Sequence, residues 1–108
     1  MSDEIIRNGV RKMNKYEAVI IIVPTLTAEE IQGAIAGVKE KITVTGGVVT
    51  STDDIGKKKL AYEIKKCNEG YYVLFNFEIE PPQIAELERY FRIKEEIIKF
   101  IVVRKDEE

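Results

Sequence analysis

The order in which apolar residues change their spacing constrains this chain most. Residues 16–23 alternate with a period of two: Tyr16, Ala18, Ile20 and Ile22 point one way, Val19, Ile21 and Val23 the other. Both sets are apolar, which predicts a central strand covered on both sides, ended by Pro24. Thr27-Ala28-Glu29-Glu30 then forms a capping box, with Thr27 at the N-cap and Glu30 at N3. Ile31, Ala34, Ile35, Val38 and Ile42 follow at helical spacing until Gly46-Gly47 stops the helix. Residues 48–64 read as one long strand or a bent pair, with a bulge or bend at Gly56. The first half is polar, as an edge strand guarded against aggregation requires. A turn is expected at Asn68-Glu69-Gly70, and residues 71–79 alternate again. Pro81-Pro82 breaks that strand and opens a second helix with Ile84, Leu87 and Phe91 on its buried stripe. Residues 97–103 form a last strand, apolar on both faces.

The order β-α-β-β-α-β is the split βαβ, ferredoxin-like plan. It predicts an α+β fold: a four-stranded antiparallel sheet in the order 4-1-3-2, with both helices on one face. Strands one, three and four are apolar on the other face too, and so large an open apolar surface predicts a binding function.

At 108 residues the chain is one domain, expected at 13–105. Residues 1–12 carry no sustained period and are expected to be a poorly ordered extension, and Asp106-Glu107-Glu108 an acidic tail. No run of about 18 apolar residues predicts a membrane span, and the N-terminus lacks the h-region of a signal peptide. The single cysteine, Cys67, cannot form an internal disulfide, which fits a reducing cytoplasm. There is no histidine, so the usual general base and commonest metal ligand are missing. Ser2 and Ser51 have no imidazole to activate them, and Cys67 alone builds no zinc site. An enzyme is not expected, nor is a cofactor or a small-molecule substrate.

Charge is distributed unevenly. The net charge is −2, yet five lysines lie between Lys57 and Lys66 against Glu63 alone, and six basic residues between Arg89 and Lys105 against Glu95 and Glu96. In the stretch Gly56-Lys57-Lys58-Lys59-Leu60-Ala61-Tyr62-Glu63-Ile64-Lys65, three lysines precede an alternation that puts Leu60, Tyr62 and Ile64 on one face. Lysines on a rigid strand present fixed charge to a polyanion; in the plainer alternative they guard an edge strand from pairing. Arg89, Arg92, Lys94, Lys99 and Arg104 form a second cluster, open either to phosphate contact or to helix-dipole complementation and surface pairing. Gly70-Tyr71-Tyr72 mimics part of an RNA-recognition-motif signature, but Glu69, Tyr72 and Asn76 stand where it needs a basic, a small and an aromatic residue. Tyr16 and Tyr62 are expected to be structural, each burying its ring with the hydroxyl at the rim. Cys67 is expected in a polar turn as an incidental thiol.

The Gly-x-basic-basic-Leu-Ala-Tyr-x-Ile-basic pattern of residues 56–65 resembles the signature of the bacterial ribosomal protein S-six family. Met13-Asn14-Lys15-Tyr16-Glu17 resembles the start of that family, Gly70-Tyr71-Tyr72 the opening of its third strand, and Arg92-Ile93-Lys94-Glu95-Glu96-Ile97 with Ile101-Val102-Val103-Arg104 its close. The resemblance covers residues 13 to about 105. Asn14 departs from the arginine common there, and Ile98 from a position often basic. The resemblance implies a ribosomal, cytoplasmic protein that pairs with ribosomal protein S-eighteen and binds the central domain of 16S rRNA. It implies RNA contacts at Lys15 beside those of Lys57, Lys58, Lys59, Arg89, Arg92, Lys94, Lys99 and Arg104. The apolar sheet face would take the protein partner.

Two other readings fit parts of the pattern. A ferredoxin-like module that senses a small molecule as a homodimer accounts for the apolar open face, though not for the lysine triplet. A stand-alone RNA-recognition motif predicts single-stranded binding that depends on Tyr71.

Overall fold

In a computed structural model of the chain, residues 12–105 are described. The expected extension (apart from Lys12) and the acidic tail lie outside the described residues. The elements are β1 (Asn14–Ile22), α1 (Ala28–Val44), β2 (Val48–Ile64), β3 (Cys67–Ile79), a short 3-10 turn (Pro81–Gln83), α2 (Ile84–Ile93) and β4 (Ile97–Arg104). The strands form one antiparallel sheet in the order β2-β3-β1-β4, which is the order 4-1-3-2. The ferredoxin-like expectation holds.

Local chemistry sets the boundaries. The Thr27 hydroxyl accepts from the Glu30 amide at 3.1 Å, and the Glu30 carboxylate accepts from the Thr27 amide at 2.9 Å, so the capping box is closed in both directions. At the far end of α1, the Gly46 amide donates to the Thr43 carbonyl and the Gly47 amide to that of Ile42, the paired bonds of a Schellman stop. The two prolines at 81 and 82 give a 3-10 turn, and the α-helical pattern of bonds begins only at Ile84.

The core lies between the helices and one face of the sheet. Ala18, Ile20 and Ile22 of β1 and Val73, Phe75, Phe77 and Ile79 of β3 meet Ile31, Ile35, Val38 and Ile42 of α1 and Leu87 and Phe91 of α2. Each of these larger side chains contributes about 1.5–3 kcal/mol on full burial. Tyr16 is buried and stacks on Phe77, with ring centroids 5.8 Å apart, as expected of a structural tyrosine.

The β2–β3 hairpin departs from expectation. Its turn is Lys65-Lys66, with φ of 49° and 65°, and Ile64 pairs with Cys67 across it. This two-residue loop needs both residues left-handed, a role usually taken by Asn-Gly, at roughly 1–2 kcal/mol for each L-residue. The expected turn at Asn68-Glu69-Gly70 is therefore strand, and Cys67 is the half-exposed first residue of β3. Gly70 serves close packing instead: a Cβ there would lie 2.2 Å from Cγ2 of Ile21. No helix among the described residues is long and apolar enough to cross a membrane.

Candidate nucleic-acid interface

The lysine triplet sits where β2 changes face. Asp54 pairs with Val73 and Gly56 with Tyr72, so the register shifts by one residue between them. Gly56 takes φ of 106°, a conformation that side chains other than glycine's rarely adopt. Directly paired residues share a face. Lys57, opposite Tyr71, and Lys59, opposite Glu69, therefore point to the helix side, while Lys58, opposite Gly70, points to the open side. The three lysines wrap the edge of the sheet and do not form one flat patch. Their side chains make no hydrogen bond or ion pair with any described residue.

Beyond the shift the strand curls across the open face. Leu60, Tyr62 and Ile64 share a cavity of about 170 Å³ with Val19 and Ile21 of β1 and Ile101 of β4. Ile21 is buried beneath this arm, although it belongs to the sheet face expected to be open. Ile101 and Val103 remain about half exposed, so part of that face is still a free apolar surface. The root of the arm is clamped: the Tyr71 hydroxyl donates to the Asp54 carboxylate, which also accepts from Gln32 of α1 at 3.2 Å. That bond and the carboxylate's charge raise the Tyr71 hydroxyl above its ordinary pKa of 10.0, with burial adding to the shift.

At its tip the arm brings cations from three elements together. Lys65 from the turn, Arg92 from the end of α2 and Lys99 from β4 line one cavity of about 210 Å³, floored by Phe91 and Phe100. Lys59 and Lys66 line another on the helix side, with Pro24, Cys67 and Asn68. No carboxylate among the described residues pairs with any of these five. Lys65 and Lys66 were not among the expected RNA-binding residues. The sequence pattern ends the strand at residue 64 and places the turn at 68–70, which leaves both lysines outside either element.

The remaining candidates are elsewhere. Arg89 lies 3.5 Å from the Glu86 carboxylate, which also accepts from Lys41 at 3.1 Å. The hydrogen bond from Lys41, its charge and that of Arg89 hold the Glu86 carboxyl below its ordinary pKa of 4.5. Lys94 lies 3.8 Å from Glu96, with its ammonium 5.5 Å from the Tyr90 ring centre. Both belong to the helix layer. Lys15 sits at the opposite end of the sheet from the hairpin tip, sharing a surface cavity with Ser51, Asn76, Glu78 and Lys105. Arg104 is at that same end, opposite Tyr16 and so on the helix side. The structure thus joins Arg92 and Lys99 with the hairpin lysines and leaves Lys15, Arg89, Lys94 and Arg104 apart.

Tyr62 also departs from expectation. It is 65% exposed, and its hydroxyl accepts from Lys99 Nζ at 3.2 Å.

The comparisons with known proteins agree on one family. The model of the ribosomal protein S6 family matches residues 15–104. The small ribosomal subunit protein bS6 of Sulfurimonas denitrificans is 43% identical over 94 residues, 87% of this chain and 69% of that protein. The bS6 of Heliobacterium modesticaldum is 45% identical over 96 residues, 89% of this chain and the whole of that protein. Some relatives are longer: the chain spans 66% of the bS6 of Helicobacter acinonychis, at 47% identity. The crystal structure of 30S ribosomal protein S6 from Thermotoga maritima superposes with a TM-score of 0.83 at 35% identity, covering 87% of this chain and 89% of that one. With the family pattern running from Lys15 to Arg104 and the same fold in a solved relative, the chain belongs to the ribosomal protein S6 family, a structural and non-enzymatic one.

Proposed function

We propose that this protein is a structural component of the small ribosomal subunit, in the cytoplasm, holding the central domain of 16S rRNA together with ribosomal protein S-eighteen. The observation that carries this reading is the convergence of Lys65, Arg92 and Lys99 at the hairpin tip without a carboxylate partner among the described residues. Unpaired cations from three elements cost little to bring to phosphate, since no existing ion pair has to break. Lys57, Lys58 and Lys59 extend the same positive surface along the edge of β2.

The exposed Ile101 and Val103 supply the apolar surface for a protein partner. A net charge of −2 leaves this chain a weak RNA binder by itself. A basic partner docked on its acidic body supplies the missing attraction, so the two proteins bind RNA with a favourable coupling free energy. Titration of a central-domain 16S rRNA fragment at near-physiological salt, with and without ribosomal protein S-eighteen, tests this. Tight binding is expected only with both proteins present. No binding in either condition, with this protein eluting as a homodimer, overturns the proposal in favour of a sheet-to-sheet regulatory module.

A further inference from the structure

The exposure of Tyr62 is out of keeping with its neighbours. Leu60 and Ile64, on the same face of the arm, are half buried over Val19, Ile21 and Ile101, whereas the Tyr62 ring is 65% exposed. Its orientation is nevertheless fixed. Lys99 Nζ lies 3.2 Å from the hydroxyl and 5.5 Å from the ring centre. An ammonium so much closer to the oxygen sits toward the hydroxyl end of the ring, and about two thirds of the residue stays open to solvent. Lys99 also lines the cavity that holds Lys65 and Arg92. One tethered ring therefore stands beside Lys99, which shares a second cavity with Lys65 and Arg92, and none of the three cations has a carboxylate partner among the described residues.

These are the parts of a single-stranded nucleic-acid site: a flat π-surface for a base and fixed positive charge for the phosphates flanking it. The charge favours a polyanion over an apolar peptide at this spot. We propose that Tyr62 stacks on an unpaired base of the bound RNA while Lys65, Arg92 and Lys99 hold the adjoining phosphates. This rests on the rRNA-binding reading above and adds the residue that contacts a base.

The test uses the full-length protein with ribosomal protein S-eighteen and the central-domain 16S rRNA fragment, comparing wild type with Tyr62→Phe, Tyr62→Leu and Tyr62→Ala. Alanine is expected to weaken binding roughly five- to hundred-fold, the range for losing one stacked base. Phenylalanine should stay close to wild type because it keeps the π-face. Leucine should bind as weakly as alanine. The salt dependence should be the same in all four, since no charge is removed. Alanine binding as well as wild type overturns the inference, and so does leucine matching phenylalanine, the pattern of an apolar protein contact. Failure of the wild type to bind the fragment overturns the rRNA reading itself, and this inference with it.

Discussion

The two clusters of basic residues differ in how their charge is used inside the fold. On the helix layer, Arg89 and Lys41 share the Glu86 carboxylate and Lys94 lies beside Glu96 and the Tyr90 ring. At the hairpin end, Lys57, Lys58, Lys59, Lys65, Lys66, Arg92 and Lys99 have no described carboxylate partner. Counting positive residues treats these regions alike, whereas the geometry separates them. The helix cations already neutralise neighbours, so bringing a phosphate to them exchanges one partner for another. The hairpin cations break no ion pair in taking a phosphate, although Lys99 already holds the Tyr62 hydroxyl. Availability, more than number, marks the interface.

Replacing Lys57, Lys58 and Lys59 together by alanine strikes at the hairpin side of the contrast and should have the largest effect. Every phosphate that a lysine no longer neutralises takes roughly 0.9 off the slope of log affinity against log salt. Thermal melting should hardly change, because exposed charges contribute little to folding. An unaltered slope would return these lysines to guarding the strand edge.

Gly56→Ala removes no charge but forces a side chain into φ of 106° at the point where the arm changes face. The cost should be about 1–2 kcal/mol in urea unfolding. RNA affinity should fall with the salt slope kept, if the aim of the arm matters as well as its charge.

Arg89→Ala combined with Lys94→Ala tests the other side. Removing this pair should change binding by no more than about fivefold, on the scale of exposed ion pairs. A loss as large as that of the lysine triplet would erase the distinction between the clusters.

The smallest expected effect concerns pH. The folded Glu86 carboxyl titrates below its ordinary value of 4.5, so its contribution to stability is present above that pH and is lost as pH falls through the folded value. Glu86→Gln should remove that part of the acid-side loss, read as melting temperature against pH. Tyr71 works in the opposite sense. Its hydroxyl is raised above 10.0, so the clamp on Asp54 is fully present below that pH and is lost as pH climbs through the folded value, a loss that Tyr71→Phe should abolish.

Much of the fold was legible in the sequence because its signals are local. The alternation of residues 16–23, the Thr27 capping box and the Gly46-Gly47 stop each act within a few positions, and topology rules then leave few arrangements of the strands. The hairpin was harder to read for a physical reason. A Lys-Lys turn carries none of the usual turn chemistry, and Gly70, which looks like a turn residue, is small because Ile21 packs against it. That one misplacement hid Lys65 and Lys66 from the candidate site. The exposure of Tyr62 was illegible too, since it depends on the arm curling across two neighbouring strands. The pairing of Arg89 with Glu86 was readable from their spacing of three on a helix, but Lys41 reaches Glu86 only through tertiary packing.

The most direct measurement is a cryo-electron microscopy structure of the small ribosomal subunit containing this protein, at a resolution that shows side chains. Lys65, Arg92, Lys99 and the Lys57–Lys59 edge should lie within hydrogen-bonding reach of rRNA phosphates, with Arg89 and Lys94 still facing Glu86 and Glu96. A map in which Arg89 and Lys94 touch RNA while Lys65, Arg92 and Lys99 stand in solvent would contradict the account.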